Sequence, residues 1–339
     1  MIKQEARKHH YIPRFILKNF NDENRQVNYW SVVNNKIEKR NIKSIFMNID
    51  MYRDELINKD HPTQIESRFS IFEKEIAELF ANKILNKSEI VLYRKEIEKL
   101  RIFITLSALR GDYRMKQYKE NAFDDSTRKI LLQYQPDGYF EDLWKKELNY
   151  LTTCRTYDDI LKSDVLDPII KQDFVNDLMG YYMTFVDARG GEFLISDVYP
   201  TLEILPLNNG INIHMHSLLP LSPTRMLLLN HIVFKNNDNK NPVLNSMLKF
   251  SKIQGNAIIP PKNKYKNISS MSEDDEFIYC VKKIYQKDVE YINALLLNET
   301  RIGIVFRNKD KIKNSVSMFN KREDTKQKFI LLEEELNKE

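Results

Sequence analysis

The sequence predicts an α+β fold that is predominantly α, with a long antiparallel helix pair, additional helices and a small antiparallel β-sheet. Three observations lead to this class. Only 8 residues of 339 are Gly and 11 are Pro, so the turn-rich composition of barrels and sandwiches is missing. Long stretches rich in Glu, Lys, Leu and Ile favour helices. Hydrophobic residues make up 42% of the chain and charged residues 30%, which suits a packed interior under a charged surface.

The N-terminal region is expected to form a short helix and a hairpin. Pro13 stands where the first turn of a helix tolerates proline, and apolar residues follow it up to Phe20. β-branched and aromatic residues fill positions 27–33, and apolar residues resume after Asn34-Asn35. This pattern predicts a hairpin that turns at the two asparagines.

The central region, residues 62–180, is expected to be helical. Apolar residues recur at spacings of four and three between residues 62 and 85, which predicts one long helix with a buried stripe. A second long helix is expected from Ser88, as its N-cap, to about residue 120, packed antiparallel to the first. Shorter helices are expected up to residue 180, because a Pro136-Asp137-Gly138 turn interrupts the pattern.

The β-rich region is predicted over residues 181–306. Apolar segments at 182–186 and 193–196 flank Gly190-Gly191, which predicts a hairpin with a tight turn. The remaining elements are two strands, a helix and a final apolar strand, at about 211–219, 225–233, 287–300 and 302–306.

Length predicts a single large domain over residues 1–321, followed by a charged C-terminal helix over 322–339. The 53 Lys and Arg residues exceed the 48 Asp and Glu residues by 5, a slight excess that permits a nucleic-acid partner without indicating one strongly. No membrane partner is expected, because the longest apolar stretch is about half of a bilayer span. Two distant cysteines and no apolar segment after the basic N-terminus predict a cytoplasmic location.

Four polar residues are candidate catalytic groups: His10, Glu66, Glu73 and Asp197. An imidazole titrates near neutrality and can act as a general base or a metal ligand. Glu66 and Glu73 lie two helical turns apart on nearly one face, where paired carboxylates could hold a divalent cation. Asp197 follows a predicted strand and could bind metal or orient His10. The alternatives are a histidine that plugs the core, glutamates that face solvent, and an aspartate that caps its loop.

Four further residues are candidates for substrate binding: Arg110, Arg114, His9 and Arg14. The rigid guanidinium forks of Arg110 and Arg114 could grip a phosphate or a carboxylate. These two arginines could equally form ion pairs with the glutamates of the first long helix and lock the helix pair.

His214 and His216 alternate along a predicted strand, a spacing that could place two imidazoles on one metal. A half-exposed strand without a metal shows the same pattern. The sequence has no phosphate-binding loop, dinucleotide fingerprint, zinc-type cysteine set or EF-hand loop. The only cofactor that these residues suggest is a divalent metal cation, whose identity is left open.

An ordered series of short motifs opens with His9-His10-Tyr11-Ile12-Pro13-Arg14-Phe15. The later motifs are Ile65-Glu66, Phe72-Glu73, Arg110 to Arg114, Phe193 to Asp197 with Pro200, Leu219 to Pro223, and Ile292-Asn293. In its content and order this series resembles a bacterial family known only as domain of unknown function 4238. Here Val198 and Tyr199 both precede Pro200, which departs from the family by one residue. The resemblance implies an architecture and candidate positions, and no reaction.

Two hypotheses of function follow. In the first, the chain is a nuclease-like defence or toxin-type effector, in which the histidine, glutamates, arginines and aspartate converge to cleave phosphodiesters. In the second, the chain is a non-catalytic binding or sensor module, in which the same residues form a structural polar network. Whether the protein is an enzyme is left open by the sequence, as is its oligomeric state.

Overall fold

The predicted balance of helix and strand is wrong. The computed structural model describes residues 7–55, 58–206, 212–235, 253, 258–321 and 328–338. In these ranges 14 strands form four sheets, one with 5 strands, beside 11 helices. The fold is therefore α+β with extensive β structure, not a predominantly helical fold with one small sheet. Many of the strands are only two to five residues long, too short for an alternating pattern to identify them.

The helices of the described residues are numbered in chain order. They are α1 Arg14–Lys18, α2 Gln64–Leu79, α3 Arg94–Leu109, α4 Asp112–Lys119, α5 Asp125–Tyr134, α6 Phe140–Leu151, α7 Tyr157–Leu161, α8 Pro168–Gly180, α9 Gln286–Glu299, α10 Lys309–Asn320 and α11 Ile330–Asn337. A π-helical turn, Phe80–Ile84, continues α2, and short 3-10 turns occupy Ile42–Ser44 and Ile232–Lys235.

The strands are numbered in the same way. They are β1 Lys8–His10, β2 Gln26–Ser31, β3 Ile37–Asn41, β4 Met47–Ile49, β5 Glu89–Tyr93, β6 Tyr181–Ala188, β7 Ile195–Ser196, β8 Thr201–Pro206, β9 Asn212–Pro220, β10 Arg225–His231, β11 Lys262–Lys264, β12 Glu276–Cys280, β13 Lys282–Ile284 and β14 Gly303–Phe306. In spatial order the sheets are β13-β6-β10-β9-β8, β3-β2-β14-β7, β11-β12-β5 and β1-β4.

The first long helix is confirmed and the second is corrected. Helix α2 buries one stripe, which includes Phe69 and Phe72. The segment from Ser88 is not helical at first, because β5 pairs antiparallel with β12. Helix α3 begins only after Tyr93, whose backbone N–H is capped by the Glu96 carboxylate at 2.8 Å. The chain breaks again after α3 and resumes as α4, so the predicted single helix is two helices preceded by a strand.

One predicted hairpin is confirmed and one is wrong. Strands β2 and β3 form the N-terminal hairpin. The second does not exist, because β6 pairs with β10 and β13 while β7 pairs with β14. Gly191 serves close packing, because a Cβ there would lie 2.9 Å from Cγ1 of Val289 in α9, whereas Gly190 has a φ of +86° that favours glycine. Close packing against a helix and a tight turn both favour glycine, so the sequence alone does not distinguish the two.

The other elements of the β-rich region are confirmed with small changes in their bounds. Strands β9 and β10, helix α9 and strand β14 all stand where the sequence predicts them. The charged C-terminal helix is present as α11, and residues 322–327 of the predicted segment lie outside the described residues.

Buried apolar side chains form two clusters. One fills the space among α1 to α8, and the other lies beneath β14 and the five-stranded sheet, against α9, α10 and α11. None of the helices found in the described ranges is long and apolar enough to cross a membrane.

Candidate functional site

The two N-terminal histidines are buried in β1, which pairs with β4. The Nδ1 atom of His9 accepts the Tyr52 backbone N–H at 2.9 Å, and the two rings stack. The Nε2 atom of His10 lies 3.1 Å from the Ile42 carbonyl oxygen, which can only accept, so this nitrogen carries the proton. Burial lowers the pKa of His10 to about 4. The ring is neutral at physiological pH.

Arg110 ends α3 and is 2% exposed. Its Nη1 donates to Oε1 of Glu73 at 2.5 Å, its Nη2 donates to the His10 carbonyl oxygen, and its guanidinium lies 4.3 Å from the Phe69 ring centroid. Burial lowers the pKa of Arg110, but the charge and hydrogen bond of Glu73, together with Tyr52 and Glu66, raise it by more, so the pKa lies above its ordinary value. Arg110 is therefore a fixed cation that ties α3 to α2 and β1.

Tyr52 completes the interior of this cluster. Its hydroxyl donates to the backbone oxygen of Arg110 at 3.0 Å, and its ring packs edge-on against Phe69 at 4.9 Å. We call His9, His10, Tyr52, Glu66, Glu73 and Arg110 the His10 cluster. The arginine joins three chain segments that are far apart in sequence, a pattern typical of a structural network.

Glu66 is the most chemically unusual member of the His10 cluster. Its Oε2 atom is buried with no hydrogen-bond partner among the described residues. Burial, with the charge of Glu73, raises its pKa to about 7, although Arg110 and Arg14 oppose the shift. Arg14 itself is exposed and lies at the rim of the cluster. Glu66 therefore titrates near neutral pH.

Replacing Glu66 by Gln is expected to stabilise the protein above neutral pH. The folded pKa of about 7 exceeds the ordinary 4.5. The stability that Glu66 contributes is therefore fully present below pH 4.5 and is lost as the pH rises through about 7. Glu66→Gln should gain roughly 3 kcal/mol over wild type between pH 4.5 and pH 8 in urea unfolding.

Glu78→Gln, at an exposed position on the same helix, controls for the loss of one negative charge. A free-energy difference between Glu66→Gln and wild type that stays constant with pH would contradict this assignment.

Asp197 lies elsewhere and caps a loop. Its Oδ1 atom accepts the backbone N–H groups of Arg301, Ile302 and Gly303 at 2.9, 3.0 and 3.2 Å. Burial raises its pKa, and these N–H groups oppose the shift. No hydrogen bond joins Asp197 to His10 within the part of the chain that the structure describes. The fold brings together the histidines, Arg110 and the two glutamates, and it places Asp197 at the entry to β14.

Arg114 lies on α4 and faces a different cavity, which we call the α8 groove. This groove has a volume of about 660 Å³ and is bounded by α3, α4, α8 and strands β8 to β10. Arg114 donates from Nη1 to Gln117 at 2.9 Å and lines the groove. The two arginines predicted to act together are therefore separated, one sealed in the His10 cluster and one in an open groove.

The α8 groove contains two carboxylates and two imidazoles. Asp173 and Asp177 come from α8, His214 from β9 and His231 from β10. Burial, then the charge of Asp173, raises the pKa of Asp177 to about 6, while Arg101 opposes the shift. Burial also raises the pKa of Asp173 and lowers that of His231. Our sequence analysis missed both aspartates, and the signal was their spacing of four on one helix face.

The two histidines predicted to alternate on one strand face do not share an environment. His214 is exposed in the groove, whereas His216 is fully buried and its Nδ1 lies 2.9 Å from Oδ1 of Asn230. A register shift between Glu203 and Ile204 of β8 falls opposite these residues and breaks the alternation. No group of three or more potential metal ligands was found among the described residues.

Fold and site together define an α+β protein with a sealed polar cluster and a separate open groove. The chain belongs to the family described as protein of unknown function (DUF4238), whose model matches residues 8–310. The resemblance drawn from the ordered motifs is confirmed. No curated protein and no solved structure significantly matches the chain.

Proposed function

We propose that this protein is a binding module that holds a small-molecule ligand in the α8 groove, and that the His10 cluster is its structural anchor. The observation that carries the proposal is the groove itself. Its volume of about 660 Å³ lies within the range of ligand sites, and its walls combine apolar surface with a few polar groups. By contrast, His9 and Arg110 are almost completely buried and bind backbone atoms.

A variant that fills the groove is expected to abolish ligand binding without unfolding the protein. Ala108 is exposed on α3 and lines the groove, so Ala108→Trp adds a large ring there and leaves the core intact. A library of soluble fragments with amine, neutral and carboxylate groups in equal shares is screened by ligand-observed NMR. Hits on the wild type should be lost in Ala108→Trp and kept in Ala122→Trp, at an exposed position outside the groove.

Phosphodiester cleavage is the second candidate, with His10, Glu66, Glu73 and Asp197 as its catalytic residues. The observation that favours it is the pKa of Glu66, because a carboxyl group that titrates at about 7 suits general acid or base chemistry. Wild-type protein is incubated with RNA and DNA and with Mg²⁺ or Mn²⁺. Cleavage that disappears in His10→Ala while the melting temperature is unchanged would overturn the binding-module proposal in favour of this one.

A further inference from the structure

Two carboxylates on α8 face the groove without a cationic partner. Asp173 and Asp177 are four residues apart, so they lie on one face of the helix, and both line the groove. Within the described ranges, neither carboxylate forms an ion pair or a side-chain hydrogen bond with the protein. Like charges at this spacing destabilise a helix by a few tenths of a kcal/mol. The pair therefore carries a cost that a bound cation would remove.

The nearest protein cations, Arg101 and Arg114, act on the two aspartates through their charge but form no ion pair with them among the described residues. Arg101 donates to the backbone oxygens of Asp177 and Tyr181 at 2.9 and 2.8 Å, not to a carboxylate. Arg114 donates to the Gln117 amide. Burial raises the pKa of both aspartates, although the charges of Arg114 and His214 oppose the shift at Asp173 and that of Arg101 opposes it at Asp177.

Two mostly buried side chains whose hydroxyl groups are open to the groove add a second, independent indication of a ligand. Tyr118 and Ser217 are only 5% and 4% exposed, and both line the groove. Neither hydroxyl has a protein hydrogen-bond partner among the described residues. Because neither oxygen is fully enclosed by protein, both hydroxyls are available to hydrogen-bond a ligand inside the groove. Apolar side chains, among them Ile104, Phe174 and Leu202, form the rest of the wall.

We infer that the ligand of the α8 groove is an organic cation, an amine with an apolar body whose charge is received by Asp173 and Asp177. The inference rests on the proposed function and names its ligand class. A carboxylate or phosphate ligand would be repelled by the same pair. A metal ion finds no set of three protein ligands in the described part of the chain, whereas an amine needs only the carboxylates and the hydroxyls.

The test compares three phenyl compounds of similar shape that differ in charge: phenethylamine, 2-phenylethanol and 3-phenylpropionate. Each is titrated by calorimetry into the full chain, into the Asp173→Asn/Asp177→Asn variant, and into Asp158→Asn, which removes an exposed carboxylate on α7. The wild type should bind the amine at least about tenfold more tightly than the alcohol. This preference should disappear in the double variant and persist in Asp158→Asn.

The outcomes separate the two proposals. If the alcohol or the acid binds the wild type as well as the amine does, the cation inference is overturned and the groove remains a ligand site. If none binds and the fragment hits are insensitive to Ala108→Trp, both proposals fail. A Mg²⁺ or Ca²⁺ titration that displaces the amine and depends on the two aspartates would replace the organic cation by a metal. Circular dichroism confirms that the double variant is folded.

Discussion

Replacing Arg110 by Ala is expected to lower the free energy of unfolding by about 3 kcal/mol. The change removes a cation that is 2% exposed and leaves the Glu73 carboxylate and the His10 carbonyl oxygen without their donors. It also removes the guanidinium from the Phe69 ring, 4.3 Å away. Urea unfolding followed by tryptophan fluorescence measures the loss, because Trp144 donates to the backbone oxygen of Leu109 beside this site.

Arg114→Ala is the matched control, one turn further along the chain. Its side chain lines the groove and donates to one amide, so the expected change is within about 0.5 kcal/mol. Arg110→Lys keeps the charge but lacks the fork that reaches both Glu73 and His10, and it should recover only part of the loss. A loss below about 1 kcal/mol in Arg110→Ala would show that the cluster does not anchor the N-terminal segment.

Asp197→Ala is expected to lower the free energy of unfolding by about 3 kcal/mol as well, since each buried donor left unsatisfied costs about 1 kcal/mol or more. The three donors are the backbone N–H groups of residues 301 to 303. They lead into β14, which pairs with both β2 and β7, so their loss affects a whole sheet. Thermal and urea unfolding of the purified variant measure the effect.

Asp197→Asn separates the structural role from a catalytic one. Asparagine keeps an oxygen that can accept these N–H groups, so most of the stability should be retained. A catalytic carboxylate, in contrast, would lose its activity in the Asn variant as fully as in the Ala variant. Stability that falls equally in both variants would contradict the capping role.

The reliable part of the sequence prediction was the part with long periodic patterns. Helix α2 and helix α9 carry apolar stripes over several turns, and both lie where they were expected. The strands β5, β12 and β13 are three to five residues long, and the pairs β5 with β12 and β13 with β6 join segments far apart in sequence. Local patterns contain no information on such pairing, so the strand content was underestimated.

The sequence indicated which residues could carry the chemistry of the candidate site, but not how they are arranged in space. The motif positions of His10, Glu73 and Arg110 do meet in one cluster, as the helix pair suggested. The separation of Arg114 from Arg110 follows from the break between α3 and α4, which turns α4 towards the groove. The groove itself is formed by elements from five separate segments, and no single stretch of sequence marks it.

The position of β14 has a consequence for biosynthesis. This strand lies between β2 and β7, so residues 303–306 supply the hydrogen bonds that both neighbours need. During translation β2 is synthesised long before β14. Until β14 has been synthesised, β2 has only β3 as a strand partner. An unpaired strand edge readily associates with other chains. Completion of this sheet must therefore wait until residue 306 has been translated, and a truncation before residue 303 would leave an aggregation-prone product.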